Sequence, residues 1–299
     1  SADFTVDKVQ KKTQRRNPLP PFTTSKLQQD AIRKLRFSAR KTMTVAQQLY
    51  EGVELGPGEP VGLITYMRTD STRIAEEALN QSRQLVQQDF GDAYVPKTPN
   101  IFKNKKGAQD AHEAIRPTSV FRRPQEIAQF LSADQLALYE LIWKRFVASQ
   151  MKPAIFDQTA VTIAASSYTF QASGSVLRFP GFMTLYIVSN GRESQVGTGE
   201  TLPPLVEGAR LACHGLDPNQ HFTQPPPRFS EASLVKELEE NGIGRPSTYA
   251  SILSTIRDKK YVELVKGYFR PTELGFIVND LLMQGFPNIV DVDFTAQLE

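Results

Sequence analysis

The residues able to do chemistry in this chain are few and unevenly placed. From Gly62 to Ser71 the sequence reads GLITYMRTDS: an apolar run that ends by delivering a tyrosine, an arginine and an acid. A free phenol, with a pKa near 10, is only about 0.1% ionised at neutral pH, so attack on phosphorus requires its anion and the developing phosphorane charge to be stabilised. Arg68, two residues after Tyr66 and on the same face of an expected strand, is an always-charged bidentate donor suited to both tasks. Thr69, Asp70 and Ser71 are small and polar and fall where a helix is expected to begin, where backbone N–H groups and the helix dipole favour an anion. Tyr66 is therefore a candidate nucleophile beside a phosphate-binding arginine. A second Tyr-x-Arg, Tyr268 to Arg270, lacks the small polar residues after it and reads as framework, its arginine reaching out to solvent.

Two further clusters suit phosphate chemistry. In AHEAIRP, Ala111 to Pro117, His112 and Arg116 are four residues apart, although Pro117 disfavours a helix just there. His112 has no second histidine at metal-binding spacing, and a lone histidine is commonly structural. In NGIGRPST, Asn241 to Thr248, Gly242 and Gly244 permit close backbone approach, Pro246 suits a helix start, and Ser247 or Thr248 can cap it. Arg245 then either grips a phosphate at that helix N-terminus or is an ordinary solvent arginine in a helical turn. No Gly-x-x-x-x-Gly-Lys-Ser/Thr loop occurs, so nothing points to nucleotide hydrolysis.

These residues need elements to carry them. Residues 1–21 read as an extended lead-in closed by NPLPP. Helices are expected from about Thr24 to Phe37 and from Thr42 to Glu51, followed by the strand-like VGLITYMRT. Further helices are expected from Asp70 or Ser71 to Phe90 and from Ser132 to Met151. From Pro153 the pattern turns β-rich, in FDQTAVTIAA, YTFQAS and VLRFPGFMTLYIVS, as far as the prolines at 225–227. Helical order then returns: Ser230 to Glu240, Ser247 to Asp258, a hairpin with Lys266-Gly267 at its tip, and Thr272 to Met283. Helix, turn, helix and wing thus occur twice, an order that suggests internal duplication and aligns Tyr66 to Arg68 with Tyr268 to Arg270.

Composition sets the outer bounds. A chain of 299 residues with 40% hydrophobic and 22% charged side chains is globular and long enough for two or three domains. It has no 18-residue apolar run and no signal-like apolar stretch at its start, which reads as cytoplasmic. A single cysteine excludes a disulfide framework or a four-cysteine zinc site built from this chain alone, and Cys213 reads as an ordinary buried thiol. The net charge is only +3, yet residues 8–41 hold eleven Lys and Arg against one acid, Asp30. That run is either a phosphate footprint or a solvated basic surface.

Four stretches in order, GLITYMRTDS, AHEAIRP, RFSEASLVKELEENGIGRPSTYASI and DFTAQLE, resemble the type IA DNA topoisomerases of bacteria, a resemblance that covers nearly the whole chain. It implies a multidomain α+β fold with two mostly helical, winged-helix-like domains and a β-rich arch. The expected boundaries are 1–22 for the arch lead-in, 23–152 for the helical domain carrying the tyrosine, 153–224 for the arch and 225–299 for the second helical domain. It implies that Tyr66 becomes linked to the 5′ phosphate of one DNA strand, that Arg68 holds the scissile phosphate, and that His112 belongs to the hydrogen-bond network there. Thr69, Asp70, Arg116, Arg245, Ser247 and Thr248 are implied as DNA contacts.

The same resemblance implies a toprim domain with an Asp-x-Asp that binds Mg²⁺, and zinc ribbons in many relatives. Neither has a counterpart in these 299 residues. Asp291-Val292-Asp293 has the spacing but lies elsewhere, so Mg²⁺ ligands are expected outside this chain and no cofactor within it. The chain is accordingly expected to be an internal fragment, a monomer that binds single-stranded DNA with little or no relaxation activity, without ATP or membrane. A different class of function remains open on the residues: a non-catalytic winged-helix module that only holds DNA.

Overall fold

The computed structural model describes residues 3–103, 112–187 and 201–299. The elements, in order, are β1 (Phe4–Arg16), α1 (Thr24–Leu35), α2 (Ala39–Glu51), α3 (Glu76–Phe90), α4 (Pro124–Ile127) and α5 (Ala133–Ser149). There follow β2 (Ala154–Ala165), β3 (Tyr168–Phe179), β4 (Arg210–Leu211), α6 (Glu231–Glu240), α7 (Tyr249–Asp258), β5 (Val262–Val265), β6 (Tyr268–Pro271), α8 (Glu273–Gly285) and α9 (Val292–Leu298). The mixture of helix with antiparallel sheet is the expected α+β class. The chain divides into two compact units, residues 1–18 with 151–226 and residues 19–150 with 227–299.

The first unit is a β ribbon. Its sheet runs β3-β2-β1-β4, all pairs antiparallel, and β4 pairs only with Phe4 and Thr5, leaving most of β1 as an open edge. YTFQAS and VLRF, read separately from the sequence, form one continuous strand, β3. Pro180, with no N–H to donate, ends it, and Gly181 to Thr184 form a 3-10 turn where strand was expected. Val188 and Ser189, the end of that expected strand, lie outside the described residues. Cys213 is exposed rather than buried, because the segment after β4 packs against little.

The second unit places both helical segments together: α1 lies along α6, and α2 along α7 and α5. Residues 23–152 and 225–299, read as two domains, thus share one compact body. Ala39, Val235, Tyr249, Leu253 and Phe269 form a common apolar core across the two. Local signals explain several elements. Ser132 and Gln135 make a reciprocal capping box at α5, and Ser230 with Ser233 does the same at α6. The β5–β6 hairpin turns through Lys266 (φ 51°) and Gly267 (φ 83°), the two left-handed residues that a tight two-residue hairpin turn requires.

The basic run of residues 8–41 is divided. Lys8, Lys11, Lys12, Arg15 and Arg16 lie on β1 in the first unit, and the other six lie in the second. Within α1, Arg33 and Lys34 share Asp30 with the buried Arg145 of α5, which also donates to the Pro20 carbonyl at 2.6 Å. Burial pulls the Lys34 amine down to about 8, against the attraction of Asp30. The unfolded chain keeps that proton to about 10.5, so stability is expected to rise between roughly pH 8 and pH 10. Burial pushes the phenols of Tyr249, to about 12, and of Tyr139 upward, so the folded state holds protons that the unfolded state releases above about pH 10. Urea midpoints measured across this range should therefore pass through a maximum near pH 10. Lys34→Met should flatten the rise and leave the fall, and a rise of unchanged size in that variant would remove Lys34 as its source.

Candidate active site

GLITYMRTDS does not form the expected strand. Val61 and Ile64 make isolated antiparallel bridges to Val53 and Pro117, and the remainder turns through bends. The alternation survives without a ladder: Tyr66 and Arg68 are exposed, while Met67 and Thr69 are each 1% exposed. Both candidate side chains therefore leave the same side of the segment, whereas Tyr268 and Arg270, their expected repeat-mates, lie in a regular hairpin strand.

Partners distant in sequence hold the segment. The Leu63 N–H donates to the Leu49 carbonyl, and the Thr65 N–H to the Arg116 carbonyl. The Thr65 hydroxyl donates to the Ala114 carbonyl at 2.7 Å and accepts the Arg116 N–H at 3.0 Å. On the far side of Tyr66, Thr24 at the start of α1 is fully buried. Its hydroxyl donates to the carbonyls of Met67 and Thr69, at 2.7 and 3.0 Å, and accepts the Thr69 N–H at 2.9 Å. Tyr66 is thus fixed from both sides. Gly62 opens the segment because a Cβ there would stand 2.8 Å from the Tyr50 carbonyl oxygen, which no side chain tolerates.

The Tyr66 ring, 37% exposed, lies between two others: Tyr50 of α2 at 5.4 Å, edge-on at 67°, and His112 at 5.6 Å, tilted by 54°. Such contacts fix a ring's direction through dispersion and quadrupole terms. Among the described residues Arg68 makes no hydrogen bond or ion pair, so its guanidinium is open to an incoming anion.

The helix expected from Asp70 or Ser71 begins at Glu76, with Ala75 as its N-cap, so its N-terminal N–H groups do not stand at Thr69 to Ser71. The hydroxyl of Thr69 takes the Ser71 N–H at 3.0 Å and that of Ser71 the Arg73 N–H at 3.1 Å, turns that hold residues 69–73 in an extended path. Thr69, with its N–H, carbonyl and hydroxyl all bonded internally, holds the loop in shape instead of facing outward.

His112 and Arg116 share no helical face, because residues 112–117 run as bridged, non-helical chain; Ala111 lies outside the described residues. Arg116 is turned inward, bonded to Glu113 at 2.6 Å and to the Pro117 carbonyl at 3.1 Å. Arg245 folds back onto its own loop, donating to the carbonyls of Gly242 and Gly244 at 3.2 and 3.0 Å, with Glu299 3.8 Å away. Thr248 stands at the N-cap of α7, but its hydroxyl accepts the Arg245 N–H at 2.8 Å instead of a helix N–H. Ser247 is exposed. Asp70 lies within electrostatic reach of Tyr249 at the start of α7: after burial and Glu239, it is among the groups that push the Tyr249 phenol up.

The residues that sequence reasoning missed are Thr24 and Tyr50. Thr24 carried only the signal of a helix start, and Tyr50 read as one more residue in the last turn of a helix.

Among the described residues no group of three or more His, Cys, Asp or Glu stands together as a metal site, and Asp291 is engaged as the N-cap of α9, accepting the Phe294 N–H at 2.8 Å. The Mg²⁺ implied by resemblance does not fit these residues.

A family model described as DNA topoisomerase matches residues 1–299. The chain belongs to the bacterial type IA DNA topoisomerases. It is 52% identical over 302 residues to DNA topoisomerase 1 of Rickettsia bellii and 51% identical to that of Rickettsia felis. All of this chain is covered in both comparisons, against 38% and 39% of those proteins. The solved structure of full-length topoisomerase I from Thermotoga maritima matches with a TM-score of 0.85 at 39% identity, over 100% of this chain and 48% of that one. The chain thus spans less than half the length of these type IA relatives. Among the described residues no helix is long and apolar enough to cross a membrane.

Proposed function

We propose that this chain carries the strand-cleaving centre of a type IA DNA topoisomerase, with Tyr66 as nucleophile. The observation that carries the reading is an exposed phenol clamped between Tyr50 and His112, with the unpaired guanidinium of Arg68 on the same side of the segment. The Tyr66 oxygen attacks phosphorus, the bond to the 3′ oxygen breaks, and that oxygen leaves as a 3′ hydroxyl after taking a proton. The strand is then held through a 5′ phosphotyrosine. Because the new ester replaces the old one, religation reverses the step and needs no ATP. Arg68 stabilises the charge developing on the phosphoryl oxygens. Asp70, Ser247 and Thr248 border the path of the strand; Arg245 and Arg116 join it if their internal bonds open on binding. The whole protein, on this reading, relaxes negatively supercoiled DNA by passing one strand through the break and uses Mg²⁺ bound outside these residues. It acts as a monomer in the cytoplasm, and this chain alone binds single strands with little relaxation.

The test is covalent capture. The full-length protein is incubated with end-labelled single-stranded DNA, denatured, and the linked end identified. A 5′ phosphotyrosine at Tyr66 is expected, and a 3′ link or a different tyrosine overturns the assignment. Arg68→Ala should lower capture by about 10²- to 10³-fold, the usual effect of removing one charge-stabilising donor, with Arg68→Lys intermediate. Binding without capture by the unmodified protein would favour the holding module instead.

A further inference from the structure

The strand register sorts the side chains of the β ribbon by face. Pairing of Lys8 with Thr162, Gln10 with Ala160, Lys12 with Gln158 and Gln14 with Phe156 puts Lys8, Gln10, Lys12, Gln14 and Arg16 on one face of β1. The register slips between Val6 and Lys8, which leaves Asp7 as the bulged residue. Thr162 and Gln158 of β2 share this face, as do Gln171 and Ser173 of β3, and the Gln158 amide donates to the Gln14 side chain at 2.7 Å. Among these three strands no Asp or Glu lies on it. Asp157 is on the opposite face, bonded to Thr13, and Glu207 takes the Val9 N–H at the strand edge. The face is therefore cationic and neutral-polar, and Lys8, Lys12 and Arg16 are spaced four residues apart, about 13 Å per interval or roughly four base-pair steps of duplex. Arg16 is held in place over the Phe156 ring at 4.8 Å.

We propose that this face is a second DNA-contacting surface, separate from Tyr66, which takes the phosphate backbone of duplex DNA without reading sequence. The proposal rests on the reading of DNA as the partner. Charge complementarity selects a polyanion, and the placement of the aromatic rings selects the duplex. A single-strand surface interleaves cations with rings on which bases stack. Here Phe4, Tyr168 and Phe170 all lie on the opposite face, with Phe4 and Phe170 5.5 Å apart. A face with cations and hydrogen-bonding side chains but no rings beyond its base grips phosphates whose bases are already stacked within a helix.

The test compares two variants of equal charge change on opposite faces, Lys8→Gln/Lys12→Gln and Lys11→Gln/Arg15→Gln, leaving Arg16 and its ring contact intact. Affinity of the 299-residue chain for a duplex and for a single strand of the same length is measured over a salt series, with circular dichroism as the control for folding. The first variant is expected to reduce the slope of log affinity against log salt for duplex by about 2, two phosphate contacts at roughly 0.9 each, and the second to leave it unchanged. Equal losses in both variants would reduce the lysines to general charge or edge protection, and a loss confined to single strands would replace the occupant; either result overturns the proposal. Covalent capture is measured on the same substitutions in the full-length protein. An unchanged slope with capture intact defeats this surface alone, whereas a reduced slope without capture at Tyr66 supports it and defeats the cleavage reading alone.

Discussion

Tyr66→Phe is expected to abolish covalent capture of DNA by the full-length protein, by roughly 10⁴-fold or more, the scale on which removal of a covalent nucleophile acts. The fold should not register the change. Among the described residues Tyr66 makes ring contacts, to Tyr50 and His112, and its hydroxyl makes no hydrogen bond. Phe keeps both contacts, and a half-exposed hydroxyl without a partner contributes at most about 0.5 kcal/mol. Urea unfolding of the variant should therefore overlay that of the unmodified chain, and binding of single strands should persist. Tyr66→Ala separates the two roles, since it also removes the ring that Tyr50 and His112 pack against. Residual capture by Tyr66→Phe above the level of the denatured protein would move the nucleophile elsewhere.

The second large effect is expected far from Tyr66 in sequence. Thr24→Val keeps the shape of a fully buried side chain and removes its hydroxyl, which serves Met67 and Thr69 on either side of Arg68. The Thr69 carbonyl still receives the Thr24 backbone N–H at 2.8 Å, so two groups lose their partner inside the protein, the Met67 carbonyl and the Thr69 N–H. At about 1 to 3 kcal/mol for each buried group left unsatisfied, and with incomplete additivity, a loss of roughly 2 to 4 kcal/mol follows. Capture should fall as well, because the clamp on the Arg68 side of Tyr66 is released. Thr24→Ser restores the hydroxyl and should recover most of both. A Thr24→Val chain with unchanged unfolding midpoint and unchanged capture would show that the loop is held by its other contacts.

How much of this was legible beforehand varies by element. The helices with capping boxes, the hairpin at Lys266-Gly267 and the strands of the ribbon were readable because their signals act over a few residues: a cap and its third neighbour, a turn dipeptide, an alternation. The candidate site was readable as residue types, through Tyr66, Arg68 and His112, and less so as geometry. The helix expected to point its N-terminus at Asp70 begins at Glu76, and Arg116 and Arg245, expected as DNA contacts, are bonded inward. Side-chain hydrogen bonds to Asx and Ser/Thr turns compete with helix starts, and a sequence does not reveal which will prevail.

By itself the sequence determined the class of fold, the order of the main helices and ribbon strands, and the presence of a tyrosine and an arginine that leave one side of a buried segment. It did so because hydrophobic alternation and caps are local and survive even where the expected ladder is absent, as the exposed-buried alternation from Tyr66 to Thr69 demonstrates. Tertiary structure decided what holds that segment. On either side of Tyr66, the long-range hydrogen bonds of Thr65, Met67 and Thr69 reach Thr24 and residues 114–116, between 43 and 51 positions away, and the ring neighbours of Tyr66 are Tyr50 and His112. Tertiary structure also divided one basic run between the two faces of a strand in one unit and helices in the other, where Arg33 and Lys34 share the Asp30 carboxylate. Contacts at such separations are set by how whole elements pack, and no local pattern around Tyr66 encodes them.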